Sequence, residues 1–505
     1  MGARSLRVLE FAARLVTDVV AVVARQLLPS WLLDGAAPHS HGSSRWARRA
    51  ERRELGRVAS PKSMHGDGIV LGWHDQHLLQ APAEDNVLLF GVQRSGKTST
   101  VVVPTLIAWT GGVVATSTKE ELVALTSISR ARRGPLWVFA PLDRDHKWMA
   151  DLGLRPATWN PLDGVDSLGS AAELADHFTA DGKRGHSAHW YLAASSLITG
   201  LAVCERERGG DISTVLARLN RTAHSEFVGL SEVVEDKGAS DLIRAFSLTP
   251  DREAGSIAST ARSSLSLWTD ERVAAATRTS QDALDFDRLL SSAGTLYLVA
   301  PAEEAERCRP LFSALLLSLL RRATSKARAQ GGILSPRLLL ALDEAANFAR
   351  IPRLAGYASS GPGQGIQLLL CYHDLAQVEA GYGEAAARTI WNNCRARLLL
   401  PGQGDIKTLE LFSRAIGDET RTYRTSHRDR WNSSSGEQRV GRPLASVDEL
   451  RRLRSAVLLY ANAPPALLEL RRWDQVKAWR QQVPIRPRLL PVSPAKELQV
   501  DRHQR

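Results

Sequence analysis

An apolar run, Val87, Leu88, Leu89 and Phe90, ends in the stretch GVQRSGKT, Gly91 to Thr98. The spacing is G-x-x-x-x-G-K-T, the pattern of a phosphate-binding loop between a strand and a helix. Gly91 and Gly96 let the backbone turn tightly, so that successive N–H groups can face one anion. The helix that follows adds the positive end of its dipole. Lys97 can reach β- and γ-phosphates, and the Thr98 hydroxyl can hold Mg²⁺. Arg94, Ser95 and Ser99 complete the set expected around the nucleotide. The expected cofactors are ATP and Mg²⁺. Few other stretches constrain a chain so strongly, because this one requires an α/β sheet on which to sit.

The remaining features bound the answer. A chain of 505 residues is too long for one core, so several domains are expected. The formal net charge of +11 favours a polyanionic partner, nucleic acid or the anionic inner face of a membrane. Cys204, Cys308, Cys371 and Cys394 include no C-x-x-C pair. They read as buried thiols in a reducing compartment rather than as a metal site or disulfide framework.

Residues 5–33 are apolar but interrupted by Asp18 and Arg25, so a membrane span and a signal peptide are both disfavoured. They fit an amphipathic helix, lying on a membrane surface or packed on the body or a partner. Residues 34–62 read as an arginine-rich linker, with the histidines of HSH solvated. A short strand is expected near Gly68–Trp73.

From Asn86 an α/β pattern runs on: a helix over Ser99–Trp109, a strand Gly112–Thr116 and a strand Leu136–Ala140. Thr116, Ser117, Thr118 and Lys119 follow a strand end, as nucleotide contacts or as an ordinary polar loop. Over 165–290 helical periodicity dominates, with Ser170–Phe178 and His189–Cys204 the clearest. This predicts an inserted all-α domain with Trp190 and Trp268 in its core. The sheet resumes at Thr295–Val299. The strand Leu338–Leu342 closes on Asp343 and Glu344, the second half of a phosphate-loop ATPase. Asp343 can hold Mg²⁺ through water, and Glu344 can orient or deprotonate the attacking water. A strand Ile366–Tyr372 ends at His373, where such motors sense the γ-phosphate. Residues 419–443 read as a long mobile loop, with Arg421, Arg424, Arg428 and Arg430 either solvated or facing a nucleic-acid backbone. The tail after Trp473 is basic and reads as partly disordered.

In this order the motifs GVQRSGKT (91–98), ATSTKEEL (115–122), GTLYLVAPAEE (294–304), LDEAANFARIPRL (342–354), GQGIQLLLCYHDLAQ (363–377) and NNCRARLLLPG (392–402) resemble the type IV coupling proteins. These are the TraG/TraD family of conjugative DNA-transfer ATPases, and the likeness is to their actinobacterial branch. The resemblance runs from about Asn86 to Trp473. It implies a RecA-like P-loop NTPase domain of class α/β with an inserted all-α domain, and a homohexamer. It implies ATP hydrolysis coupled to moving single-stranded DNA or protein into a type IV secretion channel. The implied partners are relaxosome or relaxase proteins and channel components. The implied place is cytoplasmic, against the inner face of the membrane, with no clear transmembrane helix.

The corresponding division is 1–62 for an N-terminal helix and linker, 63–164 and 291–475 for the two parts of the motor domain, the second with the family's C-terminal recognition region, 165–290 for the insert and 476–505 for a basic tail. Carried over by position, Lys97 and Thr98 bind phosphate and Mg²⁺, Asp343 and Glu344 form the Walker B pair, and His373 takes the sensor position. The sequence departs from the family at His373, usually glutamine, and at Pro362, often a basic residue and a candidate arginine finger. Arg350 or Arg353 could substitute. The alternative is a weakly hydrolysing nucleotide-binding adaptor that recruits a relaxase or another protein. A chromosome-segregation or replication motor is disfavoured by the lack of a winged-helix pattern.

Overall fold

The computed structural model describes residues 41–62, 66–180, 188–348, 350–351, 353–429 and 432–483. Both the expected N-terminal amphipathic helix and the tail beyond Val483 lie outside these residues. By contacts the chain divides into two units, 47–409 with 451–505, and 1–46 with 410–450.

The first unit is built on nine strands with almost no polar residue inside them. They are β4 (Val87–Phe90), β5 (Gly112–Ser117), β6 (Leu136–Phe139), β7 (Thr295–Val299), β8 (Leu338–Leu342), β9 (Ile366–Tyr372), β10 (Ala396–Leu399), β13 (Ala456–Tyr460) and β14 (Ala466–Leu468). Every residue of β4, β5, β7, β8 and β9 is buried. Continuous apolar runs of this kind belong to parallel sheets covered on both faces. The order is β14-β13-β10-β4-β9-β8-β5-β7-β6. The seven strands from β10 to β6 are parallel, and β13 and β14 pair antiparallel at one edge. Thus β9 is threaded between the strand that leads into the glycine loop and the strand that ends in the two acids. Phe90 pairs with Tyr372, and Leu342 with Leu370. The carboxyl ends of the three strands therefore lie side by side.

A small antiparallel sheet, β1 (Arg57–Ala59), β3 (His77–Ala81) and β2 (Ile69–His74), precedes the large one. It joins β14 through a reciprocal pair, Trp73 N–H to Glu469 O at 2.9 Å and Glu469 N–H to Trp73 O at 2.8 Å. Part of the expected linker is therefore structured: Arg49–Leu55 form a 3₁₀ helix with Leu55 buried, and β1 follows. Its many arginines obscured the single buried leucine. Part of the expected disordered tail is also placed. Lys477–Arg480 is helical, and Trp479 is fully buried against Val70, Trp73, Leu78 and Ala108.

Between β6 and β7, residues 165–294 hold helices and turns and no named strand among the described residues. The central helix, Ala188–Glu207, packs on Lys237–Ser247 so closely that a Cβ on Gly200 would meet Ile243 Cγ1 at 2.9 Å. Capping side chains start several of these helices: Ser167, Asp211 and Asp236 accept from backbone N–H groups of the first turn. Trp268 is core, 4.9 Å from the Phe178 ring, and its Nε1 donates to Thr277 Oγ1 at 2.9 Å. Trp190 is not core. It sits half-exposed in the first turn of its helix, whose buried stretch begins only at Ala194.

One buried cation stitches this unit together. Arg130, at the end of the helix Glu121–Ala131, is fully buried. Its Nε donates to Thr295 Oγ1 at 2.8 Å, and its terminal nitrogens donate to the carbonyls of Trp109, Gly111 and Ala293. Burial brings its pKa down to about 10, so it stays charged at neutral pH.

In the second unit, residues 419–443 are not a loop. They form a β-hairpin, β11 (Asp418–Asp429) and β12 (Asn432–Pro443), in unbroken antiparallel register. Residues 41–44 pair alongside its base, where Ser44 N–H donates to Asp418 O at 2.9 Å. Its sequence is mostly polar, with no alternating apolar face to mark the strands, and so reads as loop. Among the described residues no helix is long and apolar enough to cross a membrane.

Candidate nucleotide site

The glycine loop leaves β4 with Gly91 N–H still bonded to Tyr372 O of β9, at 3.0 Å. A Cβ on Gly91 would meet Ser95 Oγ at 2.6 Å and Leu400 Cβ at 3.1 Å, so the tight turn excludes any larger residue. Arg94 (φ 65°) and Gly96 (φ 94°) are left-handed. Alternating hand turns successive N–H groups to one side, the arrangement that nests an anion. The Ser95 hydroxyl is buried without a partner. Lys97 is 5% exposed, and its ammonium donates to Gly91 O at 2.7 Å and Val92 O at 3.3 Å. One of its three N–H donors is left over.

The following helix opens with a π turn, Thr98–Val102, in which Val103 N–H donates to Thr98 O. Pro104 has no N–H to give to Thr100 O, and the widened turn accommodates that loss. It also sets the Thr98 side chain toward the acids. Thr98 Oγ1 donates to Asp343 Oδ2 at 2.5 Å, and Thr116 Oγ1 donates to the Asp343 backbone O at 2.7 Å.

Asp343 is 5% exposed, and its other oxygen, Oδ1, is buried with no hydrogen-bond partner. Burial pushes its pKa up, while the Thr98 hydroxyl and the Lys97 ammonium work the other way. A buried carboxylate oxygen with no donor, beside a threonine hydroxyl, fits a hydrated divalent cation. Glu344 is half-buried and left-handed (φ 54°), and Asn347 Nδ2 donates to its Oε2 at 3.4 Å.

His373 is held by its backbone. Its N–H donates to Gln377 Oε1 at 2.9 Å, and its carbonyl accepts from Gln403 Nε2 at 2.7 Å. Its ring Nε2 is buried without a partner. Burial, reinforced by Lys97, holds its pKa below the ordinary 6.5, so the ring is neutral at pH 7. Unfolded chains take up this proton near pH 6.5 while the folded site resists it. Stability from this residue is therefore complete above 6.5 and declines as pH falls below it. In the folded site the ring takes up its proton only at a pH lower than 6.5, so hydrolysis that depends on the neutral ring is expected to be flat from about pH 8 through 6.5 and to fall on the acid side of that, as a second cation forms beside Lys97. A pH–rate profile of His373→Gln should lack that acid limb, and an unchanged limb would place the titration elsewhere.

A cleft of about 330 Å³ runs along these groups. Arg94, Ser95, Gly96, Lys97, Thr98, Ser99, Asp343 and Glu344 all line it, with Ser117, Thr118 and Lys119 on the far wall. Gly91 and His373 are not among its lining residues; Gly91 opens the loop, and His373 lies near enough to Lys97 and Glu344 to feel their charges. Arg350 and Arg353 line a different cavity. Pro362 is buried in a 3₁₀ turn, with its carbonyl accepting from Arg337 at 3.2 Å. Several lining residues are not marked by the sequence, among them Glu121 and Arg472, the latter just beyond β14 and forked onto Asp474 at 3.0 and 3.1 Å. That segment is held by packing distant in sequence, Trp473 and Val483 on the main core and Trp479 against Trp73 and Ala108, and no local pattern signals it.

With this geometry in hand, the comparisons with known proteins agree. Residues 52–476 match the family model described as Type IV secretory system Conjugative DNA transfer. The chain is 28% identical over 476 residues to the conjugal transfer protein TraG of Escherichia coli, covering 83% of this chain and 72% of that one. It is 24% identical over 486 residues to the protein VirD4 of Agrobacterium fabrum, covering 90% and 68%. Among solved structures, the plasmid coupling protein TrwB in complex with the non-hydrolysable analogue ADPNP superposes with a TM-score of 0.62 at 17% identity, over 87% of this chain and 96% of that one. TrwB with ADP and Mg²⁺ gives a TM-score of 0.59 at 18% identity, over 88% and 98%. The fold is thus the RecA-like P-loop NTPase sheet with its all-α segment. The glycine loop, the acid pair and the matched length together make this chain a member of the type IV secretory system family of conjugative DNA-transfer coupling proteins.

Proposed function

We propose that the protein is an ATP- and Mg²⁺-dependent motor that brings single-stranded DNA, with its relaxase or other relaxosome proteins, to a type IV secretion channel. The observation that carries this reading is the Thr98–Asp343 pair, with the orphaned Asp343 Oδ1 buried next to Lys97. TrwB, of like fold, is held in complex with ADP and Mg²⁺.

In this reading the loop N–H groups and Lys97 hold the β- and γ-phosphates, and Thr98 and Asp343 hold the metal. Bound Mg²⁺ would neutralise charge developing on the transferred phosphoryl group. Glu344 orients water and accepts its proton, and neutral His373 stands behind the loop to register the γ-phosphate. The net charge of +11 suits a polyanionic cargo. A homohexameric ring is the assembly this reading entails. Channel components are its further partners, and residues 5–33 would make a peripheral contact at the inner membrane face. Pro362, which offers no guanidinium, favours a second reading: an adaptor that binds nucleotide but turns it over slowly.

The two separate in one experiment, ATP hydrolysis by the full chain with and without single-stranded DNA. Stimulation of about tenfold or more is expected of a motor, since a completed site can gain 10³-fold or more. Nucleotide binding with flat, slow turnover would replace the motor by the adaptor.

A further inference from the structure

A second cavity, of about 610 Å³, lies away from the glycine loop. It forms where the helix Leu168–Thr179 of the all-α segment meets the helix Arg309–Ala329 and the stretch after the two acids. Four guanidinium groups line it, those of Arg309, Arg321, Arg350 and Arg353, against two carboxylates, Glu173 and Asp176. Both carboxylates are engaged. Glu173 pairs with Arg321 at 2.6 Å, and Asp176 Oδ1 accepts from Ser195 Oγ at 2.7 Å. The Arg309 side chain is 18% exposed. One terminal nitrogen reaches Glu306 at 3.1 Å, while its Nε is buried with no partner.

The wall that holds Arg353 also carries aromatic rings. Arg353 is left-handed (φ 58°), a conformation that costs a non-glycine residue and persists only where its surroundings hold it. It heads the helix Leu354–Ser360, which places Tyr357 one turn further on the same side. The hydroxyl of Tyr382, also on this wall, accepts from Ile351 N–H at 3.1 Å and ties the stretch in place. Burial pushes the Tyr357 hydroxyl up from its ordinary pKa, so it is a neutral donor at any physiological pH.

Small-molecule sites span roughly 300–1,000 Å³ and combine apolar walls with a few fixed polar groups. Guanidinium forks match phosphate geometry, and planar rings stack on tyrosine. We propose that this cavity is a second ligand site, separate from the glycine loop, that takes a small nucleotide-type anion, its phosphates on Arg309 and Arg353 and its ring against Tyr357. The lining stretch begins six residues after Glu344, so occupancy would bear on the acid pair.

The test is calorimetric titration of the full chain carrying Lys97→Ala, which disables the glycine loop. The probes are inorganic tripolyphosphate and ATP. One equivalent of each is expected to bind. Adding Arg309→Ala with Arg353→Ala should weaken both probes about tenfold or more, whereas Tyr357→Ala should weaken ATP more than tripolyphosphate. The single exchange Arg353→Glu, at an exposed position, covers the case in which the double exchange unfolds the chain. Uptake of neither probe by the Lys97→Ala protein overturns the proposal. So does equal affinity after the arginine exchanges. Binding of an oligothymidylate strand but of neither small probe would also overturn it and make the cavity part of a nucleic-acid surface.

Discussion

Glu344→Gln is expected to bind nucleotide as the native chain does and to hydrolyse it about 10²–10⁴-fold more slowly, the range for a lost general base. Glutamine has the size of glutamate, so the left-handed backbone at 344 and the contact with Asn347 have no steric reason to change. What disappears is the charge and the capacity to take a proton from water. The Lys97 contact with Gly91 and the Thr98–Asp343 hydrogen bond, the groups proposed to hold phosphate and metal, have no reason to change. Binding of a fluorescent nucleotide and release of phosphate, measured on the same sample, separate the two effects. Turnover that survives the exchange would remove Glu344 from the chemistry. Loss of binding together with turnover would mean that the carboxylate supports the loop rather than the water.

The second large effect is on stability. Arg130→Met is expected to cost about 2–4 kcal/mol, because it leaves buried acceptors without their donor. Methionine fills much of the volume of the arginine stem but donates nothing. The carbonyls of Trp109, Gly111 and Ala293 would be left in the interior without their donor. Each stranded acceptor carries a desolvation penalty of about 1–3 kcal/mol. These carbonyls belong to the turns entering β5 and β7, two neighbouring strands of the sheet. Their loosening would spread to Ser117–Lys119 on the cleft wall. The shift of the denaturation midpoint measures the loss. Arg132→Met, at the exposed C-cap of the same helix, is the control and should move stability by no more than about 0.5 kcal/mol. Equal shifts in the two variants would show that the buried network contributes little.

Much of the site is legible without coordinates because its chemistry is local. The loop Gly91–Thr98 needs consecutive residues of particular types, since its N–H groups must converge within one turn. Asp343 and Glu344 announce themselves by ending an apolar strand. The hairpin of residues 418–443 is illegible for the complementary reason: its mostly polar sequence carries no apolar periodicity. Trp190 was misread because a tryptophan in a helical pattern reads as core even when it lies in the solvent-facing first turn.

Continuous strand runs, the glycine loop, the acid pair and the helical character of 165–290 were determined by the sequence itself, through backbone conformation and the burial each short segment demands. The interleaving of β9 between β4 and β8 was decided only by the tertiary structure, and with it the meeting of Thr98 and Asp343, 245 residues apart. So were the seat of Arg130, the reach of Arg472 into the cleft and the arginine-lined cavity. Parallel strands carry no mark of their neighbours, because each is apolar on both faces and would fit several positions. Their order is chosen by how the connecting helices pack over the whole sheet, a sum over contacts distant in sequence that no local pattern records.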